Sequence, residues 1–216
     1  MDKNTNKVFN KRGLLALTIV SAAIIIDQII KVIVKLSMYL HESFAVCGDW
    51  FYIYFTENPG MAFGMELGSK LFLTLFRVVA VSFLVYYLCR IVRNPKFPLG
   101  YVVCISLVLA GAAGNIIDCL FYGEIFSDSH GGVATFVPWG EGYSEFLYGK
   151  VVDMFHFPLF SFDWPEWMPF IGGEHFVFFS PIFNFADACI SCSVIAIALF
   201  YYKYVSYSLS NETKDN

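Results

Sequence analysis

Four stretches of this chain are long and apolar enough to cross a lipid bilayer, and no other feature constrains its architecture as tightly. They run over Leu14–Leu36, Leu71–Val92, Leu99–Tyr122 and Pro181–Tyr204. A helix rises about 1.5 Å per residue, so about 20 apolar residues reach across the hydrocarbon. Backbone amides in lipid must bond to one another, so a run of this length predicts a helix. Composition agrees: of 216 residues, 57% are hydrophobic and only 15% charged, too apolar for an ordinary soluble domain. The expected fold class is integral membrane and mainly α. It is a four-transmembrane-helix bundle with a small extracytoplasmic β segment and interfacial loops, in a single domain over residues 1–216. No basic patch suggests a nucleic-acid partner.

The basic residues predict the orientation, since cytoplasmic segments carry the excess of Lys and Arg. Lys3, Lys7, Lys11 and Arg12 precede the first span; Arg90, Arg93 and Lys96 lie between the second and third. Lys203 and Lys214 are at the C-terminal end, whereas segments 37–70 and 119–180 hold only Lys70 and Lys150. Both termini are therefore expected in the cytoplasm, with 37–70 and 123–180 outside. The basic start followed by an apolar run is like a signal peptide. The run is long, however, contains Asp27 and Lys31, and is followed by no convincing cleavage site, so it reads as a retained first helix. All four tryptophans, Trp50, Trp139, Trp164 and Trp167, fall in the outer segments, where indole rings favour the lipid–water boundary.

Residues Trp50 to Phe55 are aromatic and β-branched and are followed by the turn signal Asn58-Pro59-Gly60, which predicts a short strand or hairpin. Segments 123–149 and 161–179 read as irregular loops with room for a short interfacial helix. The six cysteines form no disulfide pattern. Cys189 and Cys192 make a CxxC inside a span, where packing is the ordinary role. Cys47 and Cys119 are placed to face outside.

The polar residues gather at one level. Asp27 and Lys31 are four apart on one face of the first span, within pairing reach. Asn115 and Asp118 share a face at the outer end of the third. Asn184 and Asp187 fall in the first turns of the fourth. Asp153 sits in an apolar run too short to cross a membrane but suited to its surface, and Asn58 and Gly60 follow the outer strand. Carboxylates near lipid are costly, so each marks a candidate functional position. Asp27 with Lys31 fits either a packing pair or direct chemistry; Asn115 and Asp118 read as structural support, and Arg77 as a snorkelling or pairing residue. His156 and His175 stand apart from any metal-ligand spacing, and no GxSxG elbow is present, so neither metal nor serine hydrolysis is expected. Two competing readings are a small transporter or channel subunit using the outer cluster as an ion site, and a structural subunit.

These residues carry a resemblance. Asp27-Gln28-Ile29-Ile30-Lys31 resembles the DQxxK motif of the signal peptidase II family of membrane aspartic proteases. Glu57 to Gly64 resembles its ENxGxAFG segment, and Ala110 to Asp118 its GGxxGNxxD block. Val151-Val152-Asp153 and Phe183 to Asp187 resemble its VVDF and FNxAD motifs. The five occur in the family's order. The resemblance implies an aspartic endopeptidase that cuts diacylglyceryl-modified prolipoproteins just before the lipidated cysteine, with Asp153 and Asp187 catalytic. It assigns supporting or substrate-binding roles to Asp27, Lys31, Asn58, Gly60, Asn115, Asp118 and Asn184, with no cofactor or metal. It also implies contact with membrane lipid, a bacterial inner-membrane location and inhibition by globomycin-type cyclic peptides. One departure stands out: Cys119 follows Asp118 where the family has arginine.

Overall fold

The computed structural model describes residues 3–60 and 70–212. Met61, Ala62, Phe63 and Gly64 of the motif beginning at Glu57 lie outside them. Among the described residues, four helices are long and apolar enough to cross a membrane: Lys11–Ser37, Lys70–Arg93, Leu99–Ile125 and Phe185–Tyr207. The first belongs to helix α1 (Lys3–Ser37) and the second is α2 (Lys70–Arg93). In the third, α3 (Leu99–Ile117) passes through a π-helical turn, Asp118–Tyr122, into α4 (Gly123–Ile125). In the fourth, α5 (Phe185–Ala196) passes through a π-helical turn, Ile197–Tyr201, into α6 (Tyr202–Glu212).

The burial pattern is that of a protein surrounded by lipid. On α1, Leu17, Ile25, Ile29 and Ile33 are exposed, while Asp27, Lys31 and Lys35 are buried. A helix in water would turn the other way. Small residues let the bundle close. Helix α3 is central and packs against α1, α2 and α5. A Cβ on Gly111 would lie 2.3 Å from the Ala186 carbonyl oxygen, and one on Gly114 2.6 Å from Asp27 Oδ2. Glycine at these two sites therefore permits the approach of both neighbouring helices. At the far end from the polar cluster, Arg12 ties α1 to the α2–α3 link, donating to the carbonyls of Asn94 (3.0 Å) and Phe97 (2.7 Å).

A four-stranded antiparallel sheet sits at the other end, in the order β1 (Ser43–Cys47), β2 (Phe51–Asn58), β3 (Val151–His156), β6 (Ile182–Phe183). The expected hairpin is β1–β2. The apolar run around Asp153 is strand β3, with Thr56 opposite Asp153 and Phe155 opposite Phe183. One face of β3 packs Val152 and Met154 against Val34, Met38, Phe55, Tyr122 and Phe126, which orients Asp153 to the opposite face by strand alternation.

Segment 161–179 differs from the irregular loop expected of it. It contains most of a hairpin, β4 (Phe160–Asp163) with β5 (His175–Phe178). The period-2 alternation of Phe160, Phe162 and Trp164 was the signal, interrupted too soon by Pro165 to stand out. Segment 123–149 keeps its irregular character, with one bridge between Phe126 and Phe136.

Candidate active site

Asp153 and Asp187 are brought together by one asparagine. Asn184 caps α5: its side chain accepts from the Asp187 backbone N–H (2.9 Å), and its own N–H donates to Asp187 Oδ2 (3.3 Å). This is a capping box with aspartate at its third position. The same Asn184 donates from Nδ2 to Asp153 Oδ1 at 2.6 Å. The two carboxylates thus flank a single residue, although 34 positions separate them in the chain. Sheet pairing of β3 with β6 sets this distance, because β6 runs directly into Asn184.

Asn115 closes the arrangement. It donates to Asp187 Oδ1 (2.8 Å) and accepts from Asn184 Nδ2 (3.1 Å) and Lys31 Nζ (2.8 Å). Lys31 is fully buried, and its three donors meet Asn115, Asp27 Oδ2 (2.9 Å) and Asp118 Oδ2 (2.8 Å). An ammonium has three N–H groups, so none is wasted. Asp27 Oδ1 accepts the Ala186 N–H (3.0 Å), pinning the start of α5 to α1. Asp118 Oδ2 accepts the Val152 N–H (3.3 Å), pinning β3 to α3. Asp27, Lys31 and Asp118 therefore form a buried brace that ties α1 and α3 to the two elements carrying Asp153 and Asp187.

The two aspartates stand in different surroundings. Asp153 is 3% exposed. Burial, and next the neighbouring Asp187 carboxylate, push its pKa up to about 7 against the opposing bonds from Asn184 and Asn58. Asp187 is only partly buried and lies in the first turn of α5, where the helix dipole attracts negative charge. Asn58 also folds the turn after β2, accepting the Gly60 N–H at 2.8 Å. Gly60 has φ +95°, and a Cβ there would meet Leu73 Cδ2 at 2.7 Å. Glycine is needed at this position on both counts.

All nine site residues named from the sequence therefore converge. Several others were missed. Gln28 donates to Asp118 Oδ1 (2.9 Å) and to the Gly114 carbonyl (3.2 Å). Lys35 is buried against Glu57, which also binds Ser129 (2.8 Å) and Lys150 (3.0 Å). Burial works against the Glu57 charge, but Lys35 and then the bonds from Lys35, Lys150 and Ser129 outweigh it and hold the carboxyl below its usual range. This group links α1, β2 and segment 123–149. The helix-face spacing Asp27, Lys31, Lys35 was the available signal for it.

Cys119 is a buried thiol. It is 2% exposed and accepts from Arg77 Nη1 at 3.2 Å. The π-helical turn beginning at Asp118 rotates it inward. Arg77 is thus a pairing residue. All six cysteines are free thiols.

Comparison with known proteins decides the family. The signal peptidase (SPase) II family model matches residues 19–203. The chain belongs to the signal peptidase II family. It is similar to the lipoprotein signal peptidase of Porphyromonas gingivalis, with 50% identity over 93% of this chain and 88% of that one. It is 35% identical to the lipoprotein signal peptidase of Amoebophilus asiaticus, covering 90% of this chain and 78% of that one. A solved bacterial membrane enzyme superposes with a TM-score of 0.58 at 26% identity, over 86% of this chain and 90% of the other. The chain is accordingly a membrane-embedded peptidase, and the transporter reading is not favoured.

Proposed function

We propose that Asp153 and Asp187 form the catalytic dyad with which this lipoprotein signal peptidase removes signal peptides from prolipoproteins. The observation that carries this is Asn184, which touches both carboxylates while burial and Asp187 raise Asp153 to about 7. Two close carboxyl groups share one proton at working pH. Asp187, bonded by Asn115 and the Asn184 N–H and partly exposed, is the general base that takes a proton from water. Asp153 carries the shared proton, hydrogen-bonds the scissile carbonyl and passes the proton to the leaving amine. Water attacks directly, so no covalent enzyme intermediate forms.

The substrate is a prolipoprotein whose cysteine bears a diacylglyceryl group, cut just before that cysteine. Its signal peptide is a membrane helix, and its lipid remains in the leaflet beside the bundle. Asn58 and Gly60 hold the extended backbone near the bond. Both termini face the cytoplasm, and segments 37–70 and 123–180 lie outside, in a bacterial cytoplasmic (inner) membrane. One domain spans residues 1–216, and globomycin-type cyclic peptides block the site.

The test is incubation of the protein in lipid with a diacylglyceryl-modified prolipopeptide, with mass detection of the released signal peptide. Cleavage by the wild type and a loss of about 10³-fold or more in Asp153→Asn and Asp187→Asn is expected for a dyad acting as a unit. Near-normal turnover by either variant would remove that residue from the mechanism.

A further inference from the structure

Helix α2 carries one polar stripe, at Lys70, Thr74 and Arg77, spaced by four and three residues and so aligned on one face. The first two members grip the backbone that leads into β3. Lys70 Nζ bonds the Tyr148 carbonyl, and Thr74 Oγ1 donates to the Leu147 carbonyl at 3.0 Å. The third member is placed differently. Its guanidinium bonds the Cys119 thiol, a weak acceptor, and its Nη atoms lie 3.7 and 3.8 Å from where a Gly60 Cβ would stand. Gly60 is bonded to Asn58, and Asn58 to Asp153. Cys119 is next to Asp118, which holds the Val152 N–H. Arg77 therefore stands between the two segments that flank Asp153.

A guanidinium has five N–H donors in a rigid fork. Among the described residues, the thiol bonded to it uses a small part of that capacity, and carbonyl oxygens are the acceptors that a lipidated peptide brings into this site. We infer that Arg77 is a substrate-binding residue that donates to a carbonyl oxygen of the lipidated substrate, from the peptide beside the scissile bond or from a lipid ester. This rests on the peptidase reading above. Lys70 and Thr74 fasten the enzyme's own chain; Arg77, the next polar position along the same stripe, fastens the substrate's.

The experiment measures kcat and KM separately on synthetic prolipopeptides carrying either diacyl (ester) or dialkyl (ether) glyceryl groups. A hydrogen bond from a charged donor is lost in Arg77→Leu, so KM should rise about 10–100-fold with kcat changed far less. Arg77→Lys keeps the charge but loses the fork and should fall between. Arg77→Leu/Cys119→Arg returns a guanidinium from the residue that Arg77 itself bonds, and should recover most of the loss. If the ether substrate alone weakens wild-type binding and makes Arg77→Leu no worse, the partner is the ester carbonyl. If both substrates suffer equally in Arg77→Leu, the partner is the peptide. Unchanged KM in Arg77→Leu overturns the assignment; should that variant not fold, unchanged KM in Arg77→Lys does so. Lack of cleavage by folded wild type would instead overturn the peptidase reading.

Discussion

At the scale of single residues, the site separates charge from proton. Asp153 is raised to about 7 by burial and by Asp187, so it binds a proton more tightly folded than unfolded. The sign of its contribution follows. Stability from this group is complete below about pH 4 and is lost as pH rises through about 7. Asp153→Asn should therefore raise Tm at pH 8 by about 2–4 °C and by less at pH 5; a thermal scan at the two pH values checks this. The wild type's kcat/KM should fall on the alkaline side, from about 7 upward, because the dyad then loses its shared proton. A flat pH–rate profile from 6 to 9 would contradict the assignment of that proton to Asp153. Lys31 acts through charge: it alone neutralises the buried Asp27 and Asp118 among the described residues. Lys31→Met should cost about 3–5 kcal/mol by leaving those carboxylates uncompensated, measurable as lost thermal stability. Asn184→Ala and Asn115→Ala should each lower cleavage less than Asp153→Asn or Asp187→Asn, since they orient the carboxylates and carry no proton.

At the scale of elements, α3 is the member that everything else leans on. Its glycines admit α1 and α5 at distances that any side chain would forbid. Gly111→Ala puts a methyl 2.3 Å from the Ala186 carbonyl oxygen, a backbone atom that moves only if the start of α5 moves. The expected cost is about 1–3 kcal/mol from overpacking. Activity should fall further than stability, because Asn184 and Asp187 lie on that same end of α5. Comparing Tm with kcat for Gly111→Ala and for Gly131→Ala, where nothing crowds the added methyl, separates the two effects. The sheet is equally specific. A one-residue slip of β3 against β2 would turn Asp153 to the face occupied by Val152 and Met154. The bond from the Val152 N–H to Asp118 and the core around Met154 both oppose that slip.

At the scale of the whole molecule, a buried polar cluster is set among apolar cores and enclosed by an apolar exterior. Exposed Phe72, Phe76, Phe83, Leu199 and Phe200 face outward from the helices. The aromatic hairpin β4–β5, with exposed Phe160, Phe162, Phe176 and Phe178, joins the strand of Asp153 to the helix of Asp187. The orientation proposed from the basic residues places β1 outside the cell membrane. Cys47 on β1 is an exposed free thiol, so a variant with Cys47 as its only cysteine should react with a membrane-impermeant maleimide in intact spheroplasts. Protection there, with labelling only after lysis, would reverse the topology.

The sequence by itself determined the four spans and the level at which the polar residues collect. Both are properties of a chain in lipid: hydrophobic length fixes the crossings, and the cost of buried charge confines Asp27, Lys31, Asn115, Asp118 and Asp187 to one layer. Motif order then sufficed to name Asp153 beside them. Tertiary structure alone decided what each polar group touches. Lys31 serves three partners from two helices, Asn184 serves two carboxylates from different elements, and Arg77 meets Cys119 across a gap of 42 residues. None of these pairings has a sequence period, because they depend on helix approach at Gly111 and Gly114 and on strand register at Asp153. The hairpin of 160–178 and the Lys35–Glu57 link escaped for the same reason. Short strands and single ion pairs become definite only when another part of the chain packs against them.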